Sequence, residues 1–351
     1  MRIDLNADVV ALTAAIVDIE SVSGNEKALA DAVEETLTAF GHLTVERDGD
    51  TVIARTSQGR AERVVIAGHL DTVPTAENLP SRIEGDRLYG CGTGDMKAGV
   101  AIALKLATIP ETNRDVTYLF YECEEVEAER NGLTRLARTR PEWLHGDFAI
   151  LMEPTDALIE GGCQGTIRVE VTARGERAHS ARSWMGSNAI HTAGGILDIL
   201  RRYEARQPVV DGLEFHEGMN AVYIRGGVAG NVIPDECVVT VNHRFAPDLS
   251  IADAENRLRG VFDGYDVKVV DGSPAARPGL DHPSVIAFVE AIGADTRAKL
   301  GWTDVARFSE LGIPAVNYGP GTPSLSHTRG EYVEIPKIVE SEVRMRDWLT
   351  G

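Results

Sequence analysis

The feature that most constrains the fold is a run of apolar and small residues, 64–68, that leads directly into His69. A continuous apolar run of this length predicts a strand buried on both faces, as in a parallel sheet covered by helices. Pro74 ends the segment shortly afterwards. His69 should therefore lie at the carboxyl end of a strand, where open α/β sheets form their ligand crevice.

Asp71 follows His69 by two positions, so in an extended chain the two side chains point to the same face. An imidazole beside a carboxylate is typical of a metal ligand with the partner that orients it. The pair alone leaves a second interpretation open, which is a histidine at a strand end next to an unrelated aspartate.

Two further apolar runs lead into acidic side chains. Residues 116–121 precede Glu124 and Glu125, and residues 148–152 precede Glu153. If these strands are parallel to the strand before His69, all their carboxyl ends meet at one edge of one sheet. Helical stretches such as residues 96–108 alternate with the strands. This alternation predicts an α/β domain with a mostly parallel sheet.

The pattern changes near residue 163. Residues 166–173 alternate polar and apolar side chains, which is typical of an antiparallel strand with one solvated face. Residues 220–225 and 236–244 repeat the alternation, and helical stretches accompany them. We expect a small α+β domain at residues 163–280, inserted into an α/β domain made of residues 1–162 and 281–351.

Length and composition limit the class of protein. A chain of 351 residues favours two domains. The 54 acidic residues exceed the 35 basic ones, and a formal charge of -19 argues against nucleic acid as a partner. No apolar run is long enough to predict a membrane span, and the first residues carry no signal-peptide core. Four cysteines without a CxxC pair favour free thiols in the cytoplasm.

The residues that follow the strands and the Gly-rich turns include five candidate metal ligands. Imidazole and carboxylate without thiolate suit Zn, Co or Mn bound for catalysis. Two ions at about 3.5–4 Å can share one carboxylate and polarise a carbonyl between them. Asp95, in a Gly-rich turn, is the candidate for the shared ligand. The five candidates are His69, Asp95, Glu125, Glu153 and His327.

Glu124 and Glu125 are adjacent and should take different roles. Neighbouring residues cannot easily bind one ion with the same geometry, so one should be a ligand and the other should face the attacking water. A carboxylate beside that water can take its proton and later pass it to a leaving amine. The alternative is an exposed acidic loop, because Glu127 and Glu129 continue the run.

Taken together, these motifs resemble those of the M20 family of dinuclear metallo-aminoacylases and peptidases. The order and spacing agree across nearly the whole chain. The matching segments are HLDTVP at residues 69–74, GDMKAG at 94–99, Glu124-Glu125, Glu153-Pro154, and His327 after the glycines at 319 and 321.

The resemblance implies a zinc-hydrolase catalytic domain interrupted by a lid and dimerisation domain. It also implies residue roles. One ion of a zinc pair would be bound by His69, Asp95 and Glu153, and the other by Asp95, Glu125 and His327. Glu124 would be the general base, and Asp71 would orient His69.

Three residues of the predicted lid domain also match family motifs. The resemblance implies that His191 reaches the active site of a partner subunit and stabilises the oxyanion, which requires a homodimer formed through the lid. Asn231 and Arg244 resemble residues that bind the carboxylate of a substrate. The planar fork of arginine suits a carboxylate because it binds both oxygens. For Arg244 a simple surface charge at a strand end remains an alternative.

The resemblance implies metal-dependent hydrolysis of the amide of a small N-acyl amino acid. Glu153 and residues 178–191 resemble the branch of the family that removes a succinyl group. Two alternatives stay open. One is another deacylase of the family, such as an acetylornithine deacetylase or a dipeptidase, and the other is a member that binds metal or ligand without catalysis.

Overall fold

The computed structural model describes residues 3–351. Its strands, in chain order, are β1 (Thr44–Asp48), β2 (Thr51–Arg55), β3 (Arg63–His69), β4 (Arg82–Glu84), β5 (Arg87–Tyr89), β6 (Asp115–Tyr121), β7 (Phe148–Leu151), β8 (Ile159–Gly161), β9 (Gly165–Arg174), β10 (Ala178–His179), β11 (Val209–Val210), β12 (Leu213–Glu214), β13 (Gly218–Gly226), β14 (Val232–Ile233), β15 (Glu236–Phe245), β16 (Asp266–Ser273), β17 (Thr296–Ala298), β18 (Ala315–Asn317) and β19 (Tyr332–Glu334).

The α-helices are α1 (Val9–Val17), α2 (Lys27–Leu37), α3 (Ala98–Leu106), α4 (Gly132–Thr139), α5 (Ala189–Arg202), α6 (Ile251–Val261), α7 (Pro283–Ile292), α8 (Val305–Glu310) and α9 (Ile335–Thr350). A π-helical turn, Thr93–Lys97, leads into α3, and short 3-10 turns occupy Pro141–Trp143, Ser180–Met185 and Pro323–Leu325. Within the described chain, no helix is both long and apolar enough to cross a bilayer.

The chain divides into two compact units. The first consists of the residues up to Gly161 together with Pro278–Arg297 and Thr303–Gly351, and the second consists of Gly162–Arg277 and Ala298–Trp302. The sequence analysis set the borders at 162/163 and 280/281. It did not foresee that residues 298–302 group with the second unit.

The first unit is built on an eight-stranded sheet of order β1-β2-β6-β3-β7-β18-β8-β17. Its central strands β6, β3, β7 and β18 are parallel, whereas β1 pairs antiparallel with β2, β2 with β6, and β8 with β18. The prediction of an α/β fold with a mostly parallel sheet is confirmed. The parallel centre places the carboxyl ends of β3, β6 and β7 at one edge, where the polar segments begin.

β3 is buried along its length from Val64 to His69, as its unbroken apolar sequence predicts. Helices cover the sheet, and one continuous core contains side chains from α1, α2, α3, α7 and α9. Gly99, in the first turn of α3, allows this helix to lie close to the backbone at the end of β7. A Cβ there would lie 2.1 Å from the carbonyl oxygen of Met152, so a side chain cannot fit between α3 and the end of β7.

A small three-stranded sheet of order β19-β5-β4 also belongs to the first unit. β5 and β19 pair antiparallel, with Tyr89 opposite Tyr332, and the two rings lie 5.1 Å apart. The guanidinium groups of Arg82 and Arg87 lie over Tyr89 and Tyr332, respectively, at 4.5 and 4.4 Å. Cation–π contacts of this kind add to sheet pairing. This sheet joins the segment before Gly90 to the segment after Gly330.

The second unit contains an antiparallel sheet of order β13-β15-β9-β16, with α5 and α6 packed on it. β9 alternates buried and less buried residues, as the sequence predicts for a strand with one solvated face. Its buried Ile167, Val169 and Val171 pack in one core with Ile196 of α5 and Leu258 of α6. α6 begins with a capping box, in which the Ser250 and Asp253 side chains each accept from the other's backbone N–H.

Candidate metal centre

His69 is the last residue of β3, and its side chain is only 1% exposed. The Nδ1 atom lies 3.0 Å from the backbone carbonyl oxygen of Asp71 and 3.5 Å from its Oδ1. Both are acceptors, so Nδ1 carries a hydrogen, and Nε2 has a lone pair whenever the ring is neutral. Nε2 lies 3.3 Å from Oδ1 of Asp95. A lone pair facing a carboxylate oxygen at this distance suits a cation that both atoms bind, or a proton shared between them.

Asp95 lies in the turn Thr93–Lys97, next to a cis peptide bond to Met96. Its two carboxylate oxygens face different imidazoles. Oδ1 lies 3.3 Å from Nε2 of His69, and Oδ2 lies 3.4 Å from Nε2 of His327. Burial alone would raise the pKa of Asp95, but the hydrogen bonds from His327 and His69 hold it well below its ordinary value. Asp95 thus has the geometry of a carboxylate shared between two sites.

Glu124 and Glu125 follow β6 after Cys123, which has a positive φ of 58°. The carboxylate of Asp71 fixes their backbone. Its Oδ1 accepts from the N–H of Glu124 at 3.0 Å, and its Oδ2 accepts from the N–H of Glu125 at 3.0 Å. Oδ2 also accepts from the hydroxyl of Ser23 at 2.7 Å. Asp71 therefore holds His69 and both glutamates in one arrangement, which is more than the orienting role predicted for it.

The two predicted triads each gather in space. Potential ligand atoms of His69, Asp95 and Glu153 lie within 4.8 Å of one another, and so do those of Asp95, Glu125 and His327. A third group of the same kind consists of His69, Glu124 and Glu125. Glu153 directly follows Met152 after β7. The edge of the parallel sheet and two loops thus bring together residues that are far apart in the chain.

His327 lies in a loop, with a φ of 63° and a side chain that is 50% exposed. Its Nε2 lies 2.8 Å from Oε1 of Glu125. The hydrogen bonds with Asp95 and Glu125 raise the pKa of His327 to about 10, although burial opposes the shift. In the metal-free protein this imidazole therefore carries a positive charge between two carboxylates.

The charges of the buried carboxylates indicate whether the centre suits divalent cations. The pKa of Glu124 is raised well above its ordinary value. Burial is the largest cause, and the nearby carboxylates of Glu153 and Glu125 add to it, while His69 opposes the shift. Burial also raises the pKa of Glu125. Crowded carboxylates of this kind need protons or cations to compensate their charge. A donor set of imidazole nitrogens and carboxylate oxygens, with Asp95 in contact with both imidazoles, fits a pair of divalent cations.

The remaining predicted residues lie in the second unit. His191 is exposed in the first turn of α5, Asn231 is exposed in the loop before β14, and Arg244 is exposed near the end of β15. Among the residues that the structure describes, Arg244 forms no ion pair with a carboxylate. No carboxylate of the described chain therefore compensates the charge of Arg244. A residue that binds a substrate carboxylate needs such an available charge.

Two buried acids of the first unit were not among the predicted site residues. Asp304 is fully buried, and its Oδ2 accepts at 2.9 Å from the amide of Asn131, which begins α4 after the acidic loop. Glu331 is 2% exposed, and its carboxylate accepts from backbone N–H groups of the turn that carries Asp95. Burial raises the pKa of Glu331 to about 7. No local pattern marks Glu331, but its position shortly after His327 was a usable signal.

The fold and the site define a class of protein. Residues 65–347 match the model of peptidase family M20/M25/M40, and the chain belongs to this family. The match covers the strands and loops that bring the candidate ligands together.

Two relatives are similar over nearly the whole chain. A proposed succinyl-diaminopimelate desuccinylase of Mycobacterium tuberculosis is 52% identical, over 99% of this chain and 100% of its own. The succinyl-diaminopimelate desuccinylase of Corynebacterium glutamicum is 45% identical, over 99% of this chain and 98% of its own.

Among solved structures, a tripeptidase from Staphylococcus aureus superposes with a TM-score of 0.80 at 19% identity, over 99% of this chain and 98% of that one. A dinuclear metal-binding M20 peptidase from Bacillus subtilis superposes with a TM-score of 0.70 at 18% identity, over 98% and 97%.

Proposed function

We propose that this protein hydrolyses the amide of N-succinyl-LL-2,6-diaminopimelate to succinate and LL-2,6-diaminopimelate, a step toward lysine. The observation that carries the proposal is the pair of triads that share Asp95, with Glu124 beside them. Identities of 52% and 45% to desuccinylases over nearly full length support the choice of substrate. The family membership supports amide hydrolysis as the reaction.

The proposed ligands are His69, Asp95 and Glu153 for one cation and Asp95, Glu125 and His327 for the other. Imidazole and carboxylate donors favour zinc, with cobalt or manganese as substitutes. Cations at such a site supply Lewis acidity toward an amide carbonyl and toward water. The rest of the chemistry belongs to side chains of the protein.

Glu124 is the proposed general base. It removes a proton from the attacking water as the water oxygen bonds to the succinyl carbonyl carbon. When the carbon–nitrogen bond breaks, Glu124 returns the proton to the leaving amine, and the products are a carboxylic acid and an amine, which ionise to carboxylate and ammonium. Burial beside Glu153 and Glu125 raises the proton affinity of Glu124. A group that takes and then returns a proton needs such an affinity.

Substrate binding is assigned to the second unit. Arg244, with an uncompensated charge, and Asn231 bind a carboxylate of the substrate. A dicarboxylic acyl group gives this enzyme a negative charge to recognise that an acetyl group lacks, so Arg244 contributes to specificity.

A homodimer through the second unit completes the proposal. β13 is an edge strand, and Val222, Tyr223 and Ile224 on it are 45%, 72% and 54% exposed. An exposed apolar edge strand is a template for pairing with another chain. α5 packs against β13, and the exposed His191 in its first turn is proposed to reach the partner's active site and stabilise the oxyanion there.

The deciding experiment is a substrate panel. The protein is loaded with two equivalents of zinc, and amine release is measured from N-succinyl-LL-diaminopimelate, N-acetylornithine and a dipeptide. We expect kcat/KM for the succinyl substrate to exceed the others by at least about 100-fold, a discrimination that a site built to bind one charged group can reach. Faster hydrolysis of N-acetylornithine or of the dipeptide would assign another deacylase activity. Absence of hydrolysis in all three assays would favour a binding protein without catalysis.

A further inference from the structure

The buried carboxylate of Glu331 does not belong to the predicted ligand set, yet it contacts the turn that carries Asp95. Its Oε2 accepts from the N–H of Gly92 at 3.1 Å. Its Oε1 accepts from the N–H groups of Gly94 at 2.9 Å and of Asp95 at 3.1 Å. The backbone carbonyl of Glu331 accepts from Gly90 at 3.2 Å. One residue therefore receives four hydrogen bonds from the segment between β5 and α3.

A carboxylate is the only side chain that satisfies this arrangement. Both oxygens of Glu331 face N–H donors, and a carboxylate is acceptor-only when ionised. An amide in its place would turn an NH₂ group toward at least one of the three N–H groups. The turn also has hydrogen bonds of its own, from the N–H of Lys97 to the carbonyl of Gly92 at 2.8 Å and from the hydroxyl of Thr93 to the carbonyl of Gly90 at 2.8 Å. Glu331 adds the acceptor for the N–H groups of Gly92, Gly94 and Asp95, and it thereby supports the part of the turn that carries the Asp95 carboxylate.

Glu331 also lies close in sequence to the second imidazole. It follows His327 by four positions, and its N–H donates to the carbonyl of Thr328 at 3.2 Å. β19 begins at the next residue and pairs with β5. The loop that presents His327 and the turn that presents Asp95 are therefore held by the same residue. Where these two segments meet, Oδ2 of Asp95 lies 3.4 Å from Nε2 of His327.

We propose that Glu331 is a positioning residue for the metal centre, which sets the direction of the Asp95 carboxylate so that its two oxygens serve two cations. The inference rests on one part of the proposed function, which is that the centre binds cations. Partners that orient metal ligands typically change metal affinity or activity 10–100-fold when they are removed. Because Asp95 faces both imidazoles, the loss of Glu331 should weaken both cation sites.

The test measures cation affinity without any substrate. Metal-free wild type and Glu331→Gln are titrated with zinc in competition with a chelating indicator, at a temperature where circular dichroism shows both to be folded. We expect both dissociation constants to rise by about 10–100-fold in Glu331→Gln. The visible absorption spectrum of the cobalt-loaded variant should also change, because that spectrum reports ligand geometry. Glu334→Gln is the matched control, since Glu334 lies on β19 and pairs with Lys337 at the surface.

A residue that serves only folding gives a different result. In that case Glu331→Gln would lower the free energy of unfolding of the metal-free protein but would bind zinc with wild-type affinity, and the inference would be overturned. If Glu331→Gln does not fold, Glu331→Asp decides. It keeps the charge but shortens the reach to the N–H groups, so weaker zinc binding supports the inference and wild-type binding refutes it. Failure of the wild type to bind zinc would instead refute the proposed function.

Discussion

At the scale of single residues, two adjacent glutamates of the centre are proposed to take different roles. Oε1 of Glu125 lies 2.8 Å from Nε2 of His327, and both glutamates have carboxylate oxygens near His69. Asp71 accepts from the backbone N–H of both glutamates and so fixes the two peptide groups that carry these side chains. The contact of Glu125 with His327 supports the proposal that Glu125 is a ligand and that Glu124 transfers the proton.

Replacement of Glu124 by Gln should remove most activity and leave cation binding intact. A positioned general base contributes about 10²–10⁴-fold to rate, so kcat should fall by that factor. Zinc content by atomic absorption should stay at the wild-type value. Glu127→Gln is the control in the same loop, because Glu127 is exposed and lies near Arg130. A Glu124→Gln variant with near-normal kcat would remove Glu124 from the mechanism.

His327 should make the stability of the metal-free protein depend on pH. Its pKa in the folded chain is raised to about 10 by Asp95 and Glu125, from an ordinary value of 6.5. A raised pKa means that the charged form stabilises the fold. The contribution is complete below pH 6.5 and is lost as the pH rises through 10.

The measurement compares urea unfolding of wild type and His327→Gln in the presence of a chelator. The glutamine is polar but cannot carry the charge. The difference in the free energy of unfolding should be largest near pH 6 and should shrink toward zero above pH 10. A difference that stays constant across this range would show that the ion pairs of His327 do not stabilise the metal-free fold.

At the scale of elements, the strands that end at the centre were predictable and the small sheet was not. The unbroken apolar runs of β3, β6 and β7 identify buried strands whatever their surroundings. By contrast, β4, β5 and β19 have three residues each, too few for a period-2 pattern. Their pairing brings together segments that no local signal connects.

The residues of the centre likewise divide into those that the sequence marks and those that it does not. His69, Glu124, Glu125 and Glu153 could be predicted because each follows a strand, and His327 because of its motif. For Glu331 the sequence offers only its position shortly after His327, because its contact with Gly92 spans 239 positions and its N–H donors come together only in the fold. The positive φ of Cys123 and the burial of Asp304 are likewise set by tertiary contacts.

The capping box of α6 allows a test of an element that lies apart from the predicted ligands. Ser250→Ala removes the acceptor for the N–H of Asp253, and loss of such a cap typically costs about 1 kcal/mol. Urea unfolding should show a decrease of this size, with zinc affinity unchanged. Ser183→Ala is the control, because the exposed side chain of Ser183 forms no hydrogen bond in residues 3–351. Equal stability of the two variants would mean that the cap contributes nothing.

At the scale of the whole molecule, the exposed edge of the second unit predicts self-association. Lysine on an edge strand opposes pairing between chains. Tyr223→Lys combined with Ile224→Lys should therefore convert a dimer into a monomer in analytical ultracentrifugation, with a folded circular dichroism spectrum. Lys268→Arg, on β16 at the other edge of the sheet, is the control. A wild type that sediments as a monomer at micromolar concentration would contradict the proposed dimer.

The antiparallel pairing of β5 with β19 has a consequence for biosynthesis. While the ribosome is still producing the chain, the acidic groups near His69 are already present, but the second imidazole and Glu331 have yet to emerge. A prematurely terminated product that lacks this last portion has no partner for the glycine turn and one donor nitrogen fewer. Of the two proposed cation sites, the one formed by Asp95, Glu125 and His327 is therefore complete only after this last portion has been made.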